Sequence, residues 1–305
     1  MAFPLADTEA LFDAVTEVVL RPAVLALCDH LGLPTADVRR FPDGSLPVYA
    51  VGDGQVLKLF PQVYLNEMPV ERDVLAAVDG RLPIPTPGVL ASGEFGGWGY
   101  VLMRRLHGES LAAVWPRLDR EQRCGVATRV GEALAVLHGV PSPELGPDDW
   151  QAFITRQKAG CASRQAARGL HADWLNQIPG FLASVDLGAP KPVFLHTEVM
   201  GAHLLVTPDL ELSGLFDFEP AMRGAAEYEF VATGVFLTRG DRAAHGALLR
   251  GYGYREVDRE RPRRLLAYAL LHVYSNLPWY LREIPPGGAK TLDSLADLWF
   301  GTSEE

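Results

Sequence analysis

The hydrophobic pattern of this 305-residue chain shifts near residues 104–108 from a strand-rich part, which follows a helical segment over residues 8–31, to a mostly helical part. Before this point, short runs rich in Val, Leu, Tyr and Phe are punctuated by Asp43-Gly44 and Asp53-Gly54, which are strong signals for hairpins between antiparallel strands. After it, apolar residues recur at spacings of three and four, as over residues 119–138. The sequence therefore predicts an α+β protein with strands first and helices afterwards.

Each part also contains elements of the other kind. A helix is predicted over residues 66–78 within the strand-rich part, and a β island with a short hairpin over residues 192–216 within the helical part. Further helices are predicted over residues 8–31, divided at Pro22, and over 119–138, 173–186, 227–238, 241–251, 262–283 and 291–300. We expect two lobes: a small antiparallel-sheet N-lobe over residues 1–105 and a larger helical C-lobe over residues 106–305.

The composition excludes several classes of function. Lys plus Arg is 28 and Asp plus Glu is 38, a net charge of −10, which argues against nucleic acid or an anionic membrane as partner and suits a neutral or cationic small molecule. No apolar run approaches the roughly 18 residues of a membrane helix, and the acidic N-terminal stretch does not resemble a signal peptide. The three cysteines match no disulfide or zinc pattern, so we expect a cytoplasmic protein.

Lys58 is the first candidate functional residue. It is one of only four lysines and lies in the apolar run Val56–Phe60, where an ammonium needs a negative partner. Glu71, on the predicted helix 66–78, can supply it, and such a pair can present the ammonium to a phosphate. The alternatives are a lysine that reaches solvent from a sheet edge and a solvated glutamate.

Polar residues at two strand ends form the second candidate group. His196, Glu198 and His203 follow the predicted strand 193–195, and Asp217 follows the predicted strand 212–216. Reactive side chains are commonly exposed on loops of this kind. A carboxylate such as Asp217 can bind Mg²⁺ together with phosphate oxygens, whereas His and carboxylate ligands together also permit zinc or manganese.

The order of these motifs resembles the aminoglycoside phosphotransferase and choline kinase family, whose fold is protein-kinase-like. The resemblance covers nearly the whole chain and is carried by the strand Lys58, the helix Glu71, the hinge-like Tyr100–Met103, Leu134–His138, H-x-E-x-x-x-x-H at 196–203 and D-F-E at 217–219. Residues 264–272 and 295–301 are similar to the hygromycin phosphotransferase branch of the family.

This resemblance implies transfer of a γ-phosphoryl group from ATP or GTP, with Mg²⁺, to a hydroxyl of a small molecule. Lys58, Glu71 and Met103 would then bind the nucleotide. Asp217 and His203 would hold the metal, Glu198 would position and deprotonate the acceptor hydroxyl, and His196 would orient the loop. Glu229 would brace the loop from the stretch that follows.

The sequence departs from the family pattern H-G-D-x-x-x-x-N, because Glu198 stands at the Asp position and His203 at the Asn position. Glu extends the carboxylate by one methylene, and imidazole is a softer ligand than an amide oxygen. A catalytically impaired nucleotide-binding protein is therefore an alternative. A metal-dependent hydrolase is another, although it leaves Lys58 and Glu71 without a role. The acceptor and the oligomeric state stay open.

Overall fold

The computed structural model describes residues 2–256 and 258–303. It divides into two units, which we name after their dominant elements. The sheet unit comprises Met1–Gly80, Pro85–His107 and Phe216–Pro220, and the helical unit comprises Arg81–Ile84, Gly108–Leu215 and Ala221–Glu305. Strands dominate the first and helices the second, which confirms the predicted α+β class.

Within its described residues, the sheet unit contains five strands, three α-helices and one short 3-10 helix, Gln62–Tyr64. The strands are β1 (Val38–Arg40), β2 (Val48–Val51), β3 (Gln55–Phe60), β4 (Val89–Phe95) and β5 (Trp98–Arg104), and the helices are α1 (Glu9–Asp13), α2 (Glu17–His30) and α3 (Glu67–Val78). All neighbouring strands are antiparallel, in the order β1-β2-β3-β5-β4. The central strand β3 is thus flanked on both sides, which places Lys58 in the middle of the sheet.

Local sequence explains the turns of this sheet. The predicted Asp53-Gly54 turn joins β2 to β3, with Gly52 at φ +58°. Gly96 and Gly97, at φ +56° and +88°, form the two-residue turn between β4 and β5. Two consecutive positive φ angles match the right-handed twist of a hairpin and are easily adopted by glycine.

The core of the sheet unit lies between α2 and the sheet. Buried residues of α2, including Leu20, Val24 and Leu27, pack with Tyr49, Leu57, Leu59 and Trp98. Burying each aliphatic side chain of this kind contributes about 1.5–3 kcal/mol. This core holds α2 against one face of the sheet.

The helical unit contains ten α-helices and five short strands within its described residues. The helices are α4 (Leu111–Val114), α5 (Arg120–Leu137), α6 (Trp150–Ala167), α7 (Ala172–Leu175), α8 (Ile178–Ser184), α9 (Ala226–Thr233), α10 (Arg242–Tyr252), α11 (Arg261–Leu271), α12 (Leu277–Glu283) and α13 (Leu292–Phe300). The strands are β6 (Glu109–Ser110), β7 (Val193–Leu195), β8 (Leu204–Val206), β9 (Leu212–Leu215) and β10 (Met222–Gly224). Among the described helices, none is both long and apolar enough to cross a membrane.

Helices α5 and α10 approach each other closely through glycine. A Cβ on Gly131 would lie 2.0 Å from the carbonyl oxygen of Leu248, and one on Gly251 would lie 2.2 Å from that of Thr128. Distances this short exclude any side chain at these two positions. The two glycines therefore let the backbones pack directly.

Two small sheets hold the polar residues predicted for the site. β7 pairs antiparallel with β10 and ends immediately before His196. β8 begins immediately after His203 and pairs antiparallel with β6 and β9. The segment 196–203, which we call the loop 196–203, is therefore fixed at both ends by strands.

Three predicted helices differ from the structure, and a fourth helix has no predicted counterpart. The predicted helix 173–186 is interrupted at residues 176–177, between α7 and α8. Pro22 lies inside α2, and the break between α1 and α2 comes at residues 14–16. Proline has no N–H to donate to the carbonyl of Val18, four residues earlier. Because Val18 is 84% exposed, water can hydrate that carbonyl instead. The predicted helix 262–283 is interrupted at residues 272–276, where Asn276 caps α12 and Pro278 occupies its first turn. Helix α6 was not predicted.

Candidate active site

Lys58 is buried at the centre of the five-stranded sheet. It pairs with Val48 of β2 and Val101 of β5, and only 4% of its surface is exposed. An unpaired ammonium at this depth would cost several kcal/mol or lose its proton. The structure therefore has to supply negative partners.

Three carboxylates surround the ammonium. Lys58 Nζ lies 2.6 Å from Glu71 Oε2, 2.6 Å from Asp217 Oδ1 and 2.6 Å from Glu219 Oε2. The predicted ion pair between Lys58 and Glu71 is confirmed. We call these four residues the Lys58 cluster; all of them belong to the sheet unit.

The three carboxylates come from two segments of the chain. Glu71 lies on the buried face of α3 together with Met68 and Leu75. Asp217 and Glu219 follow β9, and the fully buried Phe218 between them anchors the segment. Asp217 adopts φ +76°, a left-handed conformation that Asp tolerates better than most residues.

Burial and charge oppose each other in the Lys58 cluster. Burial alone would lower the pKa of Lys58, but Glu71, Glu219 and Asp217 outweigh it and raise that pKa well above its ordinary value. Burial raises the pKa of Glu71 and, more strongly, that of Glu219, although Lys58 opposes the change in both. Lys58 is therefore charged at neutral pH, whereas burial and the neighbouring Asp217 carboxylate both oppose ionisation of Glu71 and Glu219.

The oxygens of this cluster also have the chemistry of a cation site. One carboxylate oxygen each from Glu71, Asp217 and Glu219 lies within 4.8 Å of the others. Carboxylate oxygens are the donors that Mg²⁺ prefers. The residues present therefore fit a hard divalent cation.

Met103 lies near the end of β5. It pairs with Val56 of β3 and Val89 of β4 and is 5% exposed. The strand ends one residue later, at Arg104. The structure thus places Met103 in the same sheet as Lys58, and its contact with a nucleotide base stays a prediction.

In the helical unit, one buried carboxylate holds the start of the loop 196–203. Glu229, on α9, accepts hydrogen bonds from the backbone N–H of His196 at 2.7 Å and of Thr197 at 2.9 Å. All three residues are completely buried. Hydrogen bonds to a charged acceptor are roughly twice as strong as neutral ones, so Glu229 fixes the backbone here.

The two hydrogen bonds to Glu229 act where the backbone is strained. Thr197 has φ +73°, where the family pattern has glycine. A β-branched residue in this region is a genuine outlier and costs of order 1–3 kcal/mol. The two hydrogen bonds to Glu229 therefore hold a conformation that threonine alone would avoid.

Two imidazoles hold the backbone of Glu198 from both sides. The Glu198 N–H donates to His196 Nδ1 at 3.3 Å, and His203 Nδ1 lies 2.8 Å from the Glu198 carbonyl oxygen. Because a carbonyl only accepts, His203 Nδ1 carries the proton, and Nε2 is the ring atom with the lone pair in the neutral form. That is the atom through which a neutral imidazole could bind a metal.

Further residues support this arrangement without having been assigned a role from the sequence. His138 Nε2 lies 3.5 Å from Glu229 Oε2, and His138 Nδ1 lies 2.8 Å from the hydroxyl of Tyr252. Nothing in the spacing of His138 and Tyr252 indicates this contact. Glu219 and Thr197 lie inside the recognised motifs. Their positions near Asp217 and Glu198 in the sequence are the signal that could have marked them as site residues.

Comparison with known proteins gives the class. The sequence model of the phosphotransferase enzyme family matches residues 37–265, more than half of the chain. The chain belongs to this family and is a phosphotransferase. Its further assignment to the hygromycin branch stays a prediction.

Solved structures of aminoglycoside phosphotransferases have the same fold. The GDP complex of wild-type aminoglycoside 2'-phosphotransferase-IIIa has a TM-score of 0.66 and 15% identity, covering 90% of this chain and 96% of that one. ADP-bound APH(2'')-Ib has a TM-score of 0.64 and 13% identity, covering 90% and 98%. APH(3'')-Id from Streptomyces rimosus ATCC10970 has a TM-score of 0.57 and 17% identity, covering 81% and 96%. The predicted protein-kinase-like α+β fold is confirmed.

Proposed function

We propose that this phosphotransferase moves the γ-phosphoryl group of ATP or GTP to a hydroxyl of a small molecule. The observation that carries the proposal is the buried Lys58 ammonium, held by Glu71 of α3 at 2.6 Å. A lysine kept charged in a sheet by a helix glutamate is suited to bind nucleotide phosphates. The sheet unit is accordingly proposed to bind the nucleotide and the helical unit to contribute the catalytic loop.

At the nucleotide end, Lys58 binds the α- and β-phosphates, Glu71 positions Lys58, and Met103 contacts the base. Asp217 and His203 hold Mg²⁺, which when bound neutralises charge that develops on the phosphates during transfer. Asp217 supplies a hard oxygen donor, and His203 supplies Nε2.

At the acceptor end, Glu198 orients the hydroxyl and takes its proton as the phosphoryl group transfers. In this proposal His196 does not contact the acceptor. It positions Glu198, because His196 Nδ1 accepts a hydrogen bond from the Glu198 N–H at 3.3 Å. Rate enhancement then comes chiefly from alignment and charge neutralisation.

The acceptor is proposed to be a cationic hydroxyl compound, with an aminoglycoside as the first choice. A net charge of −10 favours a cation over an anion. The aminoglycoside phosphotransferases that share this fold point to the same class of acceptor. With such an acceptor, the protein would confer antibiotic resistance.

A catalytically impaired nucleotide-binding protein is the second candidate, since Glu198 and His203 replace the family's Asp and Asn. Against it stands the ordered backbone of Glu198, which contacts the imidazole of His203 at 2.8 Å and that of His196 at 3.3 Å. A loop that had lost its function would not need both contacts.

The test is a screen of aminoglycosides and small alcohols for acceptor-dependent release of ADP or GDP in the presence of Mg²⁺. We expect release with at least one acceptor, with the product phosphorylated on a hydroxyl by mass spectrometry. Nucleotide binding without turnover on any acceptor would support the impaired protein. Metal-dependent hydrolysis without nucleotide would support a hydrolase instead.

A further inference from the structure

The proposed reaction leaves the body of the acceptor without a binding surface. Glu198 acts on a single hydroxyl, whereas a small molecule also needs contacts that hold the rest of it in place. A partly exposed cluster of aromatic rings in the helical unit offers such contacts. We call it the aromatic platform; it consists of Phe236, Trp279 and Tyr280.

The three rings of the aromatic platform contact one another. The ring centroid of Phe236 lies 4.6 Å from that of Trp279 and 5.6 Å from that of Tyr280. The centroids of Trp279 and Tyr280 are 5.8 Å apart. Tyr280 is buried and Phe236 is half-buried, but Trp279 is 36% exposed. The aromatic platform therefore presents Trp279 to solvent on a support of two further rings.

A π-helix positions Phe236. Residues Gly234–Thr238 continue α9 as a π-helix, a rare conformation that is frequent at functional sites. The other four residues of this π-helix are buried. Helix α9 also carries Glu229, which holds the start of the loop 196–203. One continuous helical run thus contacts the loop and supports the aromatic platform.

Polar contacts fix the indole of Trp279. Its Nε1 donates a hydrogen bond to Glu283 Oε1 at 3.1 Å, and Arg239 Nη1 donates to Glu283 Oε2 at 2.8 Å. Arg239 Nη2 also donates to the carbonyl oxygen of Glu283 at 2.6 Å. A ring held in this way loses little conformational freedom when a ligand packs against it. The exposed face of Trp279 is therefore preorganised for binding.

The aromatic platform lies near Glu198. Burial raises the pKa of Tyr280, and the charge of Glu198 raises it further. Because the interaction between two charges weakens with distance, this effect indicates that the two side chains are close. Both residues belong to the helical unit. An acceptor whose hydroxyl meets Glu198 can therefore extend onto the aromatic platform.

We propose that Trp279 stacks against a saturated ring of the acceptor and thereby selects cyclic, sugar-like acceptors over acyclic alcohols. The C–H face of such a ring is apolar and matches the face of the indole. An ammonium substituent on the ring adds a cation–π attraction. Phe236 and Glu283 are positioning residues for Trp279. This inference rests on the proposed role of Glu198 at the acceptor.

The test is steady-state kinetics of the full-length protein with gentamicin and streptomycin as cyclic acceptors and ethanolamine as an acyclic one. Trp279→Ala should raise the KM for a cyclic acceptor roughly tenfold and leave the KM for the nucleotide unchanged. Trp279→Phe keeps an aromatic face and should stay close to the wild type. A merely structural role would not separate the two KM values in this way.

Val136→Ala is the control variant, because Val136 is an apolar residue of the same unit that is 42% exposed on α5. It should behave like the wild type with every substrate. Titration calorimetry with gentamicin and streptomycin in the absence of nucleotide gives a second measurement that needs no turnover. Trp279→Ala should lower the affinity for a bound cyclic compound by the same factor.

The outcomes distinguish this inference from the proposed function. Unchanged KM and affinity for the cyclic compounds in Trp279→Ala overturns the inference and leaves the function standing, as does turnover of ethanolamine without turnover or binding of either cyclic compound. If no acceptor is phosphorylated but a cyclic compound binds and Trp279→Ala weakens that binding, the proposed function fails and the assignment of Trp279 holds. Absence of both turnover and binding of the cyclic compounds overturns the assignment.

Discussion

The Lys58 cluster and the loop 196–203 are built on opposite principles. The first is made of charged side chains that converge on one ammonium. The second is a strained backbone held by one buried carboxylate, Glu229, and by two imidazoles. Under the proposed function, we expect charge balance to control nucleotide binding and backbone geometry to control phosphoryl transfer. The substitutions below test this separation.

The largest effect is expected at Glu198. If Glu198 positions and deprotonates the acceptor, Glu198→Gln should lower kcat by two or more orders of magnitude, about 3 kcal/mol or more, with little change in nucleotide affinity. Steady-state kinetics on a verified acceptor, combined with calorimetry, measures both quantities. A large loss of nucleotide affinity would break the comparison.

Glu198→Asp sharpens this test. If the pocket is adjusted to the longer side chain, shortening it should also impair transfer, although it restores the family's usual residue. Higher activity in the Asp variant would show instead that Glu198 is a degenerative change in a binding protein. Equal turnover by the wild type and both variants would remove the general-base assignment.

The second largest effect is expected at Glu229, which holds the start of the loop 196–203. Glu229→Gln replaces one carboxylate oxygen by an amide NH2, which then faces the backbone N–H of either His196 or Thr197, at the point where Thr197 is strained. We expect a loss of about 2–4 kcal/mol in the free energy of unfolding and a loss of activity. Urea denaturation measures the first. Wild-type stability would show that the loop is held by other contacts.

The two regions also explain how far the sequence could predict the site. The Lys58–Glu71 pair was predictable because a lysine in an apolar strand needs a nearby carboxylate. The extra contact of Glu219 was not, since it depends on the left-handed turn at Asp217. Likewise, the motif located the loop 196–203, but the contact between His138 and Tyr252 joins residues far apart in the chain and depends on how the helices pack.

The fold, like the site, is predictable from the sequence where it depends on local pattern and less so elsewhere. Strands, hairpins and most helices follow from local period and turn residues. Helix α6 was missed because its buried residues Ile154 and Cys161 are separated by residues 155–160, Thr-Arg-Gln-Lys-Ala-Gly, which weaken the apolar stripe. Its start was nevertheless signalled by the cap Asp149 and by Trp150, Phe153 and Ile154 at helical spacing.

The smallest effect is the pH dependence of stability, which should have opposite signs in the two units. Burial lowers the pKa of His245 and of His272 in the helical unit to about 4. The unfolded chain takes up these protons near pH 6.5, and the folded chain only near pH 4. Stability is therefore lost as pH falls through this window, by about 1 kcal/mol per histidine between pH 7 and 5.5.

The sheet unit behaves in the reverse way. Burial raises the pKa of Glu71 and of Glu219, so their contribution to stability is complete below about pH 4.5 and is lost as pH rises through the folded pKa values. Denaturation measured across pH tests both signs. The loss of stability at acid pH should be smaller for His245→Leu than for the wild type, and the loss as pH rises should be smaller for Glu219→Gln. Identical profiles for the wild type and both variants would contradict this assignment.

The most direct test of the central claim is nucleotide binding by Lys58→Ala. Because Lys58 is proposed to bind the phosphates, calorimetry with Mg²⁺ and ADP or GDP should show at least a tenfold loss of affinity in a folded Lys58→Ala protein. Lys191→Ala is the matched control, because Lys191 is exposed, and it should bind like the wild type. Unchanged nucleotide affinity in Lys58→Ala would contradict the account and remove Lys58 from the site.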